Sequence, residues 1–216
     1  MIDAVFTGSV RPLPPEGHPS GIVKQMTTGP VLLGVLGLAG DAQADRRVHG
    51  GPDKALHHYP AEHYAILQAA YPDSAAKFIP GSIGENVSSN GWTEENVCVG
   101  DIFRIGSARV QVTQPRSPCW KINARYGLED ALQFVSGRGI TGWYYRVIES
   151  GTIAAGDPFE LLARNDDPVT LRLLWQVARS HRPSAEALSR LTGTSGLSES
   201  WAEKLRGRLE WLRRKG

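Results

Sequence analysis

The chain has 216 residues, 24 Lys plus Arg against 22 Asp plus Glu, and 41% hydrophobic residues, a balance that suits a globular protein with a sizeable core and excludes disordered and fibrous classes. A formal charge of +2 argues against a nucleic-acid binder held by phosphate neutralisation, and no recognition helix stands out, so no direct nucleic-acid partner is expected. The charge is uneven, because residues 165–216 carry 10 Lys plus Arg against 6 Asp plus Glu and hold all of the positive excess.

Met1-Ile2-Asp3-Ala4 opens without a basic segment followed by an apolar run, so no secretory leader is expected and the cytoplasm is the default compartment. Val31 to Ala39 is the longest apolar stretch, is broken by Gly34 and Gly37, and falls far short of the roughly 20 residues of a membrane helix. No membrane partner is expected. Pro60 to Ala70 predicts a helix with Pro60 in its first turn and Tyr71-Pro72 as its stop, since a missing N–H costs nothing there. Gly100 to Gly106 and Ala108 to Gln114 predict two strands joined by a turn at Gly106-Ser107, with Ala108, Val110 and Val112 alternating with polar residues as a half-buried strand requires. Glu129 to Val135 predicts a short helix, and Gly142 to Ile148 and Pro158 to Leu162 two further strands. Many short strands with irregular links predict a mainly β fold with some α, built as a closed or nearly closed β-barrel over residues 1–164.

The apolar period changes to about 3.6 after the linker Asn165-Asp166-Asp167-Pro168, which predicts a small three-helix C-terminal domain over residues 165–216. Thr170 caps Leu171 to Arg179, Ser184 caps a helix through Leu191 that Gly193 and Gly196 end, and Ser198 caps the last, where Trp201, Leu205, Leu209 and Leu212 form one stripe.

Chemistry concentrates in two motifs. Gln114-Pro115-Arg116-Ser117-Pro118-Cys119-Trp120 follows the clearest strand and pins a thiol between cationic neighbours Arg116 and Lys121, a setting that favours a thiolate able to act as nucleophile or soft-metal ligand. Burial of Cys119 as a small hydrophobe is the other reading. Cys98, within Val97-Cys98-Val99, reads as packing. In the second motif, Asp45 to Ala55, paired Gly50 and Gly51 stand among Arg46, Arg47, His49 and Lys54, donors suited to an anion such as phosphate. Its spacing matches neither a Walker loop nor a dinucleotide fingerprint, so an ordinary Gly-rich loop fits equally. His57, His58 and His63 raise a zinc reading that no paired-ligand motif supports. Asn86, in Gly81 to Val87, could orient a polar ligand, and Lys24 reads as a solvated lysine or a phosphate ligand.

Taken in order, Gly37 to Asp41, Val48 to Ala55, Gly84-Glu85-Asn86, Gly100-Asp101 and Pro115 to Cys119 resemble the MOSC domain, the family named for the C-terminal part of molybdenum cofactor sulfurase, in its bacterial YiiM-type branch. That branch adds a three-helix C-terminal extension to a MOSC β-barrel, so the resemblance covers nearly the whole chain. It implies the molybdenum cofactor, a molybdopterin, with the Cys119 thiolate as metal ligand and catalytic centre. By motif position it assigns Arg116 and Ser117 beside the thiolate, Lys24, Arg46, His49 and Lys54 around the cofactor, and His58 and Asn86 to the pocket wall.

The resemblance further implies an oxidoreductase that reduces N-hydroxylated small molecules, such as hydroxylaminopurine, to amines. His49 or His58 is the candidate proton donor, because imidazole titrates near neutrality. The chain carries no flavin or nicotinamide fingerprint and no cysteine cluster for an iron–sulfur centre, so electrons are expected from a separate flavin-containing reductase or similar donor. The basic tail is either a docking face for that donor or a solvated cap. Two other functions use the same residues: a sulfur carrier with a persulfide on Cys119, and a module that binds or delivers the cofactor without turnover.

Overall fold

A computed structural model describes residues 1–215, apart from the side chains of Arg46, Arg47 and Lys215. In chain order the elements are β1 (Ala4–Thr7), β2 (Arg11–Leu13), β3 (His18–Ser20), β4 (Gln25–Met26), β5 (Val31–Gly34), β6 (Gly37–Leu38), α1 (Arg46–His49), β7 (Leu56–Pro60), α2 (Glu62–Ala70), β8 (Val87–Ser89), β9 (Ile102–Ile105) and β10 (Ala108–Pro115). There follow α3 (Lys121–Tyr126), α4 (Ala131–Arg138), β11 (Trp143–Glu149), β12 (Gly151–Ile153), β13 (Phe159–Ala163), α5 (Leu171–Arg179), α6 (Ala185–Thr192) and α7 (Glu199–Lys215).

Eight strands form one sheet in the order β13-β9-β10-β11-β7-β8-β1-β4, antiparallel throughout except for the parallel pair β7–β8. The expected closed barrel is not formed. Strands β13 and β4 are the sheet's two ends, and among the described residues they do not pair with each other. The physical reason lies in β4, which pairs through two residues only and runs into Thr28-Gly29-Pro30, where proline has no N–H to extend a ladder. Strands β12, β5 and β6 form a separate three-stranded sheet, and β2 and β3 a hairpin.

The hairpin β9–β10 forms as its alternation predicts, with Ala108 opposite Ile105 and Gly106 at φ 55° in the turn. Residue 60 differs from expectation. Pro60 ends β7 rather than opening α2. All five residues of β7 are buried, so no polar alternation marks them as a strand. Helix α3 carries no sequence signal strong enough to predict it, and α4 starts two residues later than expected.

Helices α5 and α6 begin where the hydroxyls of Thr170 and Ser184 accept the Leu173 and Ala187 amides at 3.1 and 3.0 Å, which satisfies donors the helix itself leaves free. Buried side chains of all three C-terminal helices, among them Leu174, Leu188, Trp201 and Leu205, belong to the same apolar cluster as Phe103, Val110 and Trp143 of the sheet. A Cβ on Gly196 would lie 2.4 Å from the Gly100 Cα, so glycine is what lets the loop before α7 touch the turn that leads into β9. The other face of the sheet carries a second cluster, built from Tyr59, Tyr64, Phe78, Tyr126 and Val135 under α2, α3 and α4. No described helix is long and apolar enough to cross a membrane.

Candidate functional site

Strands β7 and β11 sort their side chains by the period of two. Tyr144 lies opposite His57 and Trp143 opposite His58, and cross-strand partners share a face. His57 and Tyr144 therefore project to one side, with ring centroids 5.2 Å apart, while His58 stacks on Trp143 at 4.4 Å on the other. The His57 side opens into a cleft of about 580 Å3, its open mouth and the solvent in it included.

The cleft is lined by Lys24, Asp41, His49, Lys54, His57, Asn86, Arg116, Cys119, Lys121 and Tyr144, with Ser20 to Ile22, Ala42 to Ala44 and Gly84 completing the wall. Lys24 and Asp41 form a buried ion pair, with side chains 6% and 2% exposed. Asp41 also accepts the Gly8 amide at 2.9 Å and the Asn86 amide nitrogen at 2.9 Å, and Asn86 in turn accepts the His57 backbone N–H at 3.1 Å. Burial pulls the Lys24 pKa down, and Asp41 opposes the shift.

His57 Nδ1 faces the Gly84 carbonyl at 3.3 Å. A carbonyl only accepts, so Nδ1 carries the proton and the neutral ring presents Nε2 as an acceptor. Burial, then the nearby Arg116, holds this histidine well below the usual range and hence uncharged at neutral pH. Nε2 is buried and has no partner among the described residues.

Between β10 and α3 the chain turns through residues 116–120. The Arg116 N–H donates to the Gly142 carbonyl at 2.9 Å, and Gly142 must be glycine, since at φ 68° a Cβ would stand 2.2 Å from the His58 carbonyl oxygen. The Arg116 side chain is buried at 6%, and its Nη1 finds no partner among the described residues. Cys119 is free and partly exposed, beside Lys121, whose Nζ donates to the Pro19 carbonyl at 2.9 Å. Trp120 meets His18 edge-on at 5.2 Å, which ties this turn to the β2–β3 hairpin.

The Gly-rich motif contributes His49 and Lys54 to the cleft wall. Asp53 anchors it, because Arg146 Nε donates to its carboxylate at 2.9 Å and Thr113 Oγ1 to its carbonyl at 2.7 Å. Gly51, at φ 98°, occupies a backbone region that favours glycine. Burial lowers the His49 pKa, and Arg116, Lys121 and Lys54 add to the effect.

Of the sequence-assigned residues the cleft thus gathers Cys119, Lys24, His49, Lys54, Asn86 and Arg116. Two assigned residues do not line it. His58 lies on the opposite face of β7, fully buried, with its ring nitrogens against the Tyr145 hydroxyl at 3.0 Å and Ser89 Oγ at 2.9 Å. Ser117 is exposed and outside the cleft wall, turned outward between Pro115 and Pro118. The Arg46 side chain lies outside the described residues. Reading the sequence alone missed Asp41, His57 and Tyr144 as site residues and named Lys121 only as a cationic neighbour of the thiol; the fully buried β7 carries no alternation from which the side that His57 faces could be read. Among the described residues no group of three or more His, Cys, Asp or Glu is placed to hold a metal, and His57, His58 and His63 are spread over separate environments, His63 paired with Glu94 at 2.6 Å.

The electrostatics favour an anion. Asp41 offsets Lys24, whereas Lys54, Arg116 and Lys121 have no carboxylate partner in an ion pair among the described residues. A group bearing a phosphate and a ring with N–H donors fits these residues: the three cations and the unpartnered Arg116 Nη1 suit the phosphate, His57 Nε2 suits a ring N–H, and Cys119 offers one sulfur to a metal that brings its other ligands with it.

An open, mostly antiparallel sheet with a thiol-bearing cationic cleft on one face and helices on both defines a mixed α/β protein. The MOSC domain model matches residues 45–160, and the chain belongs to the MOSC family. It is 43% identical to protein YiiM of Escherichia coli (strain K12) over 204 residues, 94% of this chain and 90% of that one. The crystal structure of that protein superposes with a TM-score of 0.81 over 96% of this chain and 92% of that chain. YiiM from Geobacillus stearothermophilus superposes with a TM-score of 0.82 at 31% identity, over 97% and 98% of the two chains. A protein of Gibberella moniliformis named "Reductase" is 34% identical over 174 residues, 80% of this chain but only 31% of that one.

Proposed function

We propose that this protein is a molybdenum-cofactor-dependent reductase of N-hydroxylated compounds, hydroxylaminopurine among them, with the Cys119 thiolate as metal ligand. The observation that carries the reading is the cleft itself: a partly exposed thiol in one wall with a surplus of cations, among them the buried Arg116, whose Nη1 has no partner among the described residues. When bound, the cofactor supplies two-electron redox chemistry at its metal. The net reaction takes two electrons and two protons, breaks the N–O bond, and releases an amine and water.

The chain's own residues divide the remaining work. Arg116, Lys54 and Lys121 hold the phosphate, His57 Nε2 accepts from the ring, and the Lys24–Asp41–Asn86 group fixes the backbone of His57. His49 is the histidine left in the cleft for proton transfer, and because burial and neighbouring cations depress its pKa, its imidazolium gives up a proton readily. His58 takes no part, since its ring is sealed behind the sheet. Electrons come from a separate protein donor. The fungal relative, in which the matching segment is under a third of a chain named a reductase, supports an arrangement where other domains serve this module.

The test is protein made in cells able to synthesise the cofactor. About one molybdenum per chain with reduction of hydroxylaminopurine by an artificial donor is expected. Metal without turnover would make the protein a binding or delivery module, and a sulfur adduct on Cys119 without metal would make it a sulfur carrier.

A further inference from the structure

Strands β5 and β6 form a hairpin in which Gly34 pairs with Gly37, so Val35 and Leu36 are the whole turn. Their partners in the strands behave as core: Leu33 and Leu38 are 0% and 4% exposed. The turn does not. Val35 is 59% exposed and Leu36 48%, with Leu32 on the outer face at 56%. Two-residue hairpin turns ordinarily use Asn-Gly or Gly-X, and no non-glycine residue among those described has a positive φ. Neither turn chemistry nor core packing therefore accounts for two large apolar side chains at this tip. Exposed aliphatic residues in a group mark a contact surface.

Their position says which contact. Leu32, Val35, Leu36 and Leu38 line a shallow groove that runs into Asp41, Ala42 and Gln43, and those same three residues are wall of the cationic cleft. One continuous surface thus begins polar and charged beside Cys119 and ends apolar at the hairpin. At the junction the Gln43 amide nitrogen lies beside Gly37, 3.9 Å from where a Cβ would stand. An amide offers a donor and an acceptor together, which suits the edge of a nitrogen heterocycle.

We infer that the Val35–Leu36 hairpin and Gln43 seat the planar heteroaromatic body of the substrate, while its N-hydroxyl end enters the cleft. This rests on the reductase reading and makes the three residues specificity-determining. The apolar turn covers one ring face and excludes water from it, and Gln43 reads the ring edge. Small aliphatic hydroxylamines reach the cleft without that contact.

The experiment compares the wild type with Val35→Asp, Leu36→Asp and Gln43→Ala, using Ile148→Asp as control, an apolar residue 47% exposed on β11 outside the groove. Binding of the fluorescent base 2-aminopurine is titrated directly. The kcat/KM ratio for hydroxylaminopurine over N-methylhydroxylamine is measured with reduced methyl viologen. Both 2-aminopurine affinity and the ratio should fall roughly tenfold in the hairpin variants, the scale of losing a small apolar contact, and should hold in Ile148→Asp. The seat is overturned if the wild type does not bind 2-aminopurine, if all variants bind it equally, or if the ratio is unmoved. A defect confined to electron delivery from a protein donor would also overturn it and reassign the groove to that donor. Turnover of neither hydroxylamine by metal-loaded protein that still binds 2-aminopurine would strike the reductase reading and leave the seat in place.

Discussion

The Lys24 ammonium and the Asp41 carboxylate meet inside the cleft, both almost wholly removed from solvent, and Asp41 is simultaneously held by the Gly8 amide and Asn86. Removing one partner of a buried pair strands the other. Asp41→Ala should therefore destabilise the fold by roughly 3–5 kcal/mol, read as a fall in denaturant midpoint. The double variant Lys24→Met, Asp41→Leu should recover most of that loss while leaving cofactor content low. A single variant as stable as the wild type would show that the pair does not exist in solution.

The two cysteines should separate cleanly under alkylation. Cys119 is partly exposed, whereas Cys98 is buried and burial pushes its thiol pKa up, so iodoacetamide under native conditions should modify Cys119 and spare Cys98. Cys119→Ala should abolish hydroxylaminopurine reduction and lower bound molybdenum, and Cys98→Ala should cost no more than about 1 kcal/mol of packing. Full activity in Cys119→Ala would refute the ligand assignment.

Arg116 carries opposite consequences for stability and for binding. Its buried Nη1 lacks a partner among the described residues, and a buried donor left unmade costs about 1–3 kcal/mol. Arg116→Met should leave the melting temperature of cofactor-free protein unchanged or raise it, while reducing cofactor retained through gel filtration at least tenfold. Loss of stability together with unchanged retention would mean that the guanidinium is structural.

His58 gives a signed pH effect. Burial, then the neighbouring His63, lowers its pKa to about 3, below the value near 6.5 expected of the unfolded chain. The unfolded chain then binds the extra proton first, so the contribution is complete above about pH 6.5 and is lost as pH falls from there toward about 3. Between about pH 5.5 and about pH 4 the loss should approach about 1.4 kcal/mol per unit from this residue, with roughly half that slope at about pH 6.5. His58→Gln, which keeps groups able to face Tyr145 and Ser89, should flatten unfolding free energy against pH by about that slope; an unaltered slope would place the imidazole in contact with water.

Local interactions made several features legible without a structure. The hydroxyls of Thr170 and Ser184 start helices because a cap acts within three residues, and alternation in Ala108 to Gln114 announces its strand because side-chain parity is a property of the backbone. The thiol directly after Pro118 is likewise a local device: a turn pinned by Pro115 and Pro118 beside the end of a strand presents Cys119 wherever that strand ends.

Tertiary packing decided the rest. His57 and His58 are adjacent and chemically identical, and only the burial of β7 on both faces, with β11 alongside, determines that one meets the cleft and the other Trp143. Asp41 becomes a site residue through partners 17 and 45 positions away, Lys24 and Asn86, a separation that no periodicity encodes. The expected closed barrel failed for a related reason: closure depends on whether the two end strands reach each other, and a two-residue β4 ending before Pro30 does not. Short-range hydrogen bonding is written residue by residue, whereas the pairing of distant strands and the choice of a buried face are set by the free energy of the whole packed chain.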